Sequence, residues 1–547
     1  MPENIESYKV ICSGGLHSSE NHLDLAENSP GVATRLVNYE PSLYGGYRRV
    51  NGYEVYDSLF PEVGYGVAEG RILGVILYRN EGIGNPYIIA ARKDIGAATY
   101  SLYKKQALID WTPLVTGLSL ATTIGSRSVL KLRSVQFDFG AGTTGLLIVD
   151  GVNPATYFDG TIWKSIIPAN GGGSDSAGGP MALGAPSLVA VYENHIVMSG
   201  DSTAPSVVAN SAPRDPLTWT AAAGAAQTIV GFPVVQIKPF RENLFVFGSN
   251  DIKKIYVDTT NLVFAIENVT TNVGCVAADS VLEIGGDLMF LAHDGLRPVA
   301  GTSRIGDVEL ETISKPVQAT LVNMIANYDM STLNGVVVRG KSQVRFFVGD
   351  DATATDGSYG ILGGLSDSAN GISWGHSELL GIRASCCTSG FIGADELVLH
   401  GDYDGRVYRQ ERGTSYAGED IIAVYSMPYL DLGDTEVRKT IRKVHTFIRA
   451  EGPLTMNLSV AYDWGDYNTA RPSAYTQGST GAPTIYGGRG ITYNGTNVVY
   501  GGTSKPIMTS DIQGSGFSVR VTYVSVGQDA PFTIQGVVFE YSTAGRR

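Results

Sequence analysis

A single phrase recurs along this chain: a short apolar strand, a turn, and a second strand of alternating character. It stands in GNPYIIAARKDIGAATYSLYK around Ile88, in TTGLLIVDGVNPATYFDGTIWKSI around Leu147, in NHIVMSGDSTAP around Ile196 and in ENLFVFGSNDIKKIYVD around Phe245. GDLMFLAHDGLRPVAG around Met289, SQVRFFVGDDATATDGSYGILG around Phe346 and ELVLHGDYDGRVYRQ around Leu397 continue the series. Consecutive anchors lie 59, 49, 49, 44, 57 and 51 residues apart. One small sheet cannot bury both of its faces, whereas sheets set radially around an axis bury them against each other and shield their edges. A step of about 50 residues suits a four-stranded propeller blade. The pattern predicts an all-β chain with a β-propeller-like domain of six or seven blades. An irregular sandwich or solenoid, or a set of unrelated hairpins in an ordinary β-rich protein, would use the same phrase and is the competing arrangement.

Composition agrees with short strands and tight turns: 68 Gly, 29 Tyr and only 17% charged residues. At 547 residues the chain is too long for one ordinary core. Its net charge of −13 argues against a tight embrace of nucleic acid, which needs many converging cations, but leaves room for a surface past which DNA slides. Four cysteines, Cys12, Cys275, Cys386 and Cys387, do not make a disulfide scaffold, so a reducing place of synthesis is expected. The start MPENIESYKV does not read as a signal peptide, and apolar stretches such as 114–125 are too short and hydroxyl-rich to be membrane-spanning segments.

The rhythm divides the chain into three regions. Residues 1–60 form an extended N-terminal arm with five Tyr between Leu23 and Asp57, expected to lie over its own domain or a neighbouring subunit. Residues 61–419 form the propeller-like domain, with a glycine-rich, flexible loop at 168–180. A short helix is inserted near 314–326, with Val317, Leu321 and Met324 on one face and Ser314 as its cap. Longer and more regular alternation from 420 to 547 predicts a C-terminal β-sandwich or platform domain.

The chemical motifs are weak. Asp402 and Asp404 are spaced as in a metal loop, but Arg406, Val407 and Tyr408 follow where further oxygen ligands belong, so Asp404-Gly405 reads as a hairpin turn. Asp150-Gly151, Asp159-Gly160, Asp294-Gly295 and Asp356-Gly357 repeat that turn. GISWG places Ser373 in the pattern of a nucleophile elbow, without the helix that should follow. FDGTIW, from Phe158 to Trp163, is similar to the aspartate-box turn of sialidase-like propellers but lacks its leading residues, and Trp163 is expected to lock the hairpin against the next blade. No facing carboxylate pair, metal-ligand spacing or phosphate cradle stands out. The sequence therefore predicts no enzyme, no cofactor and no metal, with a receptor- or glycan-binding propeller as the alternative function and a propeller glycoside hydrolase as a third.

One charge run stands apart. Arg438, Lys439, Arg442 and Lys443 lie in VRKTIRKVHTFIR, and strict alternation would put Lys439 and Lys443 on one side of a strand and Arg438 and Arg442 on the other. The run is expected to serve an inter-subunit or inter-domain interface facing acids such as Asp431, Asp434 and Glu436; a phosphate contact is the sharper alternative.

The order of segments resembles the tail tubular or nozzle proteins of short-tailed bacteriophages, related in plan to packaged-DNA stabilisation proteins. The resemblance is carried by YEPSLYGGYRRVNGY in the arm, NLFVFGSNDIKKIYV, DLMFLAHDGLRPVAG followed by ETISKPV, and YLDLGDTEVRKTIRKVHTFI. It implies a virion protein without an active site, made in the host bacterial cytoplasm and forming a homo-oligomeric ring, usually a hexamer. Such a ring sits below the portal and its adaptor, retains packaged double-stranded DNA, passes it transiently and non-specifically at ejection, and holds tail fibres or spikes. Tyr39, Tyr44, Tyr47, Arg48 and Arg49 in the arm join the basic run as candidate interface residues, and the glycine-rich loops 168–180 and 478–490 are candidate gate or docking loops.

Overall fold

The computed structural model describes residues 5–546 apart from 43–44, 57–69, 81–86, 95, 107–108, 121–130, 141–143, 170–173, 259–262, 300–312, 350–358, 369–370, 467, 470 and 480–505. Six sheets, antiparallel but for one added strand in the second, belong to a β-propeller alone. The first four begin with inner strands Ile72–Tyr78, Arg133–Phe137, Leu188–Tyr192 and Gln236–Phe240. The fifth begins with Leu282–Ile284 and the last with Cys386–Ile392. A further meander, Asn334–Val338, Gln343–Val348, Tyr359–Ser368 and Gly371–Leu380, takes the radial place between the fifth and last blades and runs on into the C-terminal domain. Every anchor of the sequence series falls in the second strand of one of these sheets, including Phe346 in the shared meander.

The anchors are apolar because both faces of each sheet are buried. Leu147 and Ile166 of the second blade pack on Ile196 and Trp219 of the third, while Leu146 and Ile148 pack backwards on Ile76 and Ile89 of the first. Phe247 meets Phe290 of the next blade with ring centroids 5.3 Å apart. Ile72 and Ile88 meet Leu397 and Leu399, which closes the circle. Each such side chain contributes about 1.5–3 kcal/mol through burial. Trp163 locks its hairpin against the preceding blade rather than the next, since Phe158, 5.6 Å from it, sits on Tyr78.

The loop expected at 168–180 is in part a strand. Ser176–Gly178 adds to Trp163–Ile167 in parallel as the fifth strand of the second blade. Only glycine fits its end: Gly178 has φ +125°, and a Cβ there would stand 2.1 Å from the Ile167 carbonyl oxygen. The inserted helix spans Gln318–Asn327 behind a 3-10 turn, with Val317, Leu321 and Met324 buried as expected. Ser314 does not cap it; its hydroxyl accepts the Leu296 N–H at 2.8 Å and pins the helix entry to the fifth blade. No helix among the described residues is long and apolar enough to cross a membrane.

The C-terminal domain is two packed sheets. Val437–Ala450 pairs along its length with Phe532–Arg546 in one. In the other, Ile421–Ser426, Val519–Gly527, Leu454–Tyr462 and Tyr475–Ser479 continue the nine-stranded sheet that starts in the propeller. Val444, Ile448 and Phe539 face Leu458, Val521 and Tyr523 in the shared core.

The N-terminal arm lies within its own chain. Ile5–Ile11 pairs with the C-terminal strand, Arg35–Val37 is inserted between the propeller and sandwich parts of the nine-stranded sheet, and Tyr53–Val55 closes the last blade. At the splice, Asn38 Nδ2 donates to the Leu380 carbonyl at 3.0 Å and the Ile422 carbonyl at 2.8 Å, and its Oδ1 accepts the Leu380 N–H at 3.0 Å. One side chain thus stands in for ladder bonds on both sides of the seam.

Candidate functional site

The candidate interface residues of the arm are occupied internally. Tyr39 and Tyr47 are fully buried, Tyr39 edge-on to Phe532 and Tyr47 donating to the Ser13 carbonyl at 2.7 Å. Arg49 is also fully buried and donates to the carbonyls of Asp529, Ile421 at 3.1 Å and Gly527 at 2.5 Å. Tyr44 lies outside the described residues. Arg48 reaches Glu40 at 2.8 Å and Glu451 at 2.6 Å and joins a charge network that ties propeller to sandwich. Lys341 stands 2.7 Å from Glu40 and 2.5 Å from Glu411, and Arg345 pairs with Glu411 as well. Both carboxyls are held below their usual range by these cations, against the opposing pull of burial.

The basic run does not follow strict alternation. A β-bulge between Ile441 and Lys443 turns Lys443 outward, so Arg438, Arg442 and Lys443 are all exposed. Lys439 points inward, 3% exposed, and donates to the Asp434 and Phe517 carbonyls rather than to a carboxylate. Burial pushes its pKa down. The exposed members have light attachments: Arg438 to Ser515 at 3.1 Å, Arg442 to Ser542 at 3.3 Å and Lys443 to Asp511 at 3.8 Å. The strip is therefore three outward cations on a long, firmly paired strand.

A second arrangement, which the sequence reading missed, lies at the axis of the propeller. A cavity of about 410 Å³ opens where the inner strands of five neighbouring sheets begin, lined by Lys131, Arg133, Asp150, Ser187 and Asp279 among others. Arg133 grips Asp279 with two bonds of 2.8 and 2.9 Å, and Lys131 adds a third at 3.1 Å. These cations hold the Asp279 carboxyl far below the carboxylate range, although burial acts the other way. Asp150 is held by the Tyr100 hydroxyl at 2.6 Å and by the N–H groups of Val152 and Asn153. The axial residues lie 148 positions apart in the chain, and the one sequence signal is a charge directly ahead of an inner strand.

The remaining motif residues are structural. Asp402 Oδ1 accepts the N–H groups of Asp404 at 3.0 Å and Arg406 at 2.7 Å, and Gly405 takes φ +87°, so the supposed metal loop is a turn closed by its own aspartate. Asp159 does the same for Thr161 and Ile162. Asp356-Gly357 lies outside the described residues, as does most of the loop 478–490, although Gly478 belongs to the strand Tyr475–Ser479. Ser373 sits within the strand Gly371–Leu380, opposite Ser366.

No family model matches this chain, and no curated protein does. Solved structures do align with it. An exo-β-1,3-galactanase from Phanerochaete chrysosporium is 9% identical, with 90% of this chain and 100% of that one covered and a TM-score of 0.24. A glycoside hydrolase family 43 arabinoxylan arabinofuranohydrolase from Bacillus subtilis is 10% identical, with 88% and 96% covered and a TM-score of 0.24. Both neighbours are enzymes, so they lend no support to the sequence expectation that this chain is not one. At such TM-scores neither lends this chain a substrate or a catalytic residue.

Proposed function

We propose that this chain is a structural component of a short-tailed bacteriophage tail, of the tubular or nozzle type. On this reading it forms a homo-oligomeric, six-membered ring below the adaptor on the portal side, retains and conducts double-stranded DNA, and carries fibres or spikes. The observation that supports it most is the nine-stranded sheet spliced by Asn38, which makes propeller and sandwich one stiff block. A ring that contains packaged DNA needs subunits that do not hinge. The outward cations Arg438, Arg442 and Lys443 suit contact with a neighbouring copy of a chain whose net charge is −13. That same net charge suits a wall past which DNA moves without sticking.

Imaging of the purified protein, together with its localisation in the particle, tests the reading. A closed ring with a central pore, placed between adaptor and fibres, is expected. A monomer at all concentrations, or a trimer at a fibre tip, would overturn it and favour receptor binding.

A further inference from the structure

The two mouths of the propeller axis are chemically unlike. Where the inner strands begin, Lys131 and Arg133 both pair with Asp279. A second cavity, also about 410 Å³, opens toward the ends of the inner strands and is lined from three blades and the shared meander. The first blade brings Leu77 and Arg79, the second Ser134 and Gln136, the last Thr388 and Ser389, and Arg339 follows the meander's inner strand. No carboxylate lines it among the described residues.

Both arginines are held by their backbones and left open at their heads. The Arg79 N–H donates to Gln136 Oε1 at 3.0 Å, and Gln136 in turn donates to the Leu77 carbonyl. Glu396, which stands opposite the lining residue Phe391 in the last blade, is spent on backbone: it accepts the N–H groups of Arg339 and Gly340, each at 2.7 Å. The Arg339 guanidinium donates to the Ser389 hydroxyl at 3.1 Å, and among the described residues neither guanidinium has an ion pair. Two planar, permanently charged forks beside three hydroxyls make a donor-rich pocket without an acceptor of matching charge. An acceptor-only anion with several oxygens complements it, and arginine forks match such groups in pairs of bonds.

We infer that this mouth of the propeller axis is a binding site for a small oxyanion of the phosphate class, held by Arg79 and Arg339 with Ser134, Thr388 and Ser389 as further donors. The cavity exceeds the size of bare phosphate, so the anion is either free phosphate or the phosphate end of a small ester such as a nucleotide.

Calorimetric titration of the full chain with inorganic phosphate, and in parallel with a nucleoside 5′-monophosphate, at matched chloride concentration tests this. One saturable site per chain is expected, and Arg79→Ala and Arg339→Ala should each weaken it by about tenfold or more, the loss of one charge-assisted contact. Arg79→Lys, which keeps the charge and loses the fork, should fall between. Lys9→Ala, exposed on the strand Ile5–Ile11 of the sandwich, should bind as the parent does. Tighter binding of the nucleotide assigns the site to a phosphate ester, and equal binding assigns it to the free ion. No saturable heat with either probe, or unchanged affinity in both folded alanine variants, would overturn the inference; thermal melts establish that these exposed substitutions leave the fold intact.

Discussion

Lys341 of the propeller meander places its ammonium 2.7 and 2.9 Å from the two carboxylate oxygens of Glu40 in the N-terminal arm, 301 residues away in the chain. Glu40 is 3% exposed and also receives Arg48 and the Gln343 amide at 3.1 Å. The arm is thus bound into the seam between the two domains by charge as well as by strand pairing. Removing one partner of a buried network strands the others, at a cost of about 3–5 kcal/mol. Glu40→Gln should therefore lower the denaturant midpoint sharply, and a loss within the scatter of surface variants would refute the role given to Glu40.

Asn38 carries the seam in a different way, with its amide alone. Asn38→Ala removes three hydrogen bonds to Leu380 and Ile422 and leaves part-buried backbone groups without that partner, a penalty of up to about 1–3 kcal/mol in all. Asn38 also has φ +53°, which alanine tolerates less well. Hydrogen exchange should accelerate at Leu380 before it does in the blades. Uniform protection across both domains would show that the splice does not depend on this residue.

Buried histidines shape the response to mild acid, above the range where the paired carboxylates titrate. Burial pushes His376 down to about 4 and His400 down to about 3. The unfolded chain takes up these protons below about pH 6.5, whereas the folded chain refuses them until its own lower values are reached. The contribution of these two histidines is therefore complete above that pH and falls as the pH drops toward 4, by about 1.4 kcal/mol per unit for each fully refusing group. His400→Phe should flatten the slope of stability against pH between 6 and 4.5, and an unchanged slope would remove His400 from the account.

The basic strip separates assembly from folding. Replacing Arg438, Arg442 and Lys443 with Ser should leave the melting temperature nearly unchanged and weaken assembly, because these side chains are exposed. Lys439→Ser should do the reverse, since its inward-pointing ammonium is the donor to two part-buried carbonyls. Sedimentation of both variants beside thermal melts checks the contrast; an assembled triple variant would contradict the interface assignment.

The repeated strand phrase was legible because each blade's second strand is buried on both faces, and Ile88, Leu147 and Phe346 had to be apolar wherever their sheets stood. The alternation from Leu454 to Tyr462 likewise announced a half-buried strand. The bulge at Ile441–Lys443 was not legible, since one extra residue reverses which side faces solvent and local pattern does not count residues across a partner strand. Nor was Ser176–Gly178, where glycine and alanine look like a loop until a neighbouring strand supplies the hydrogen bonds.

Local side-chain chemistry thus determined strands, turns and a radial repeat, because burial and turn geometry act within a few residues. The arm's course through both domains, the Glu40 network and the pairing of Arg79 with Arg339 at one axial mouth were decided by tertiary structure. Those groups lie hundreds of residues apart in the chain, 301 for Glu40 and Lys341, and their charges interact only where strand pairing and blade packing have brought them close.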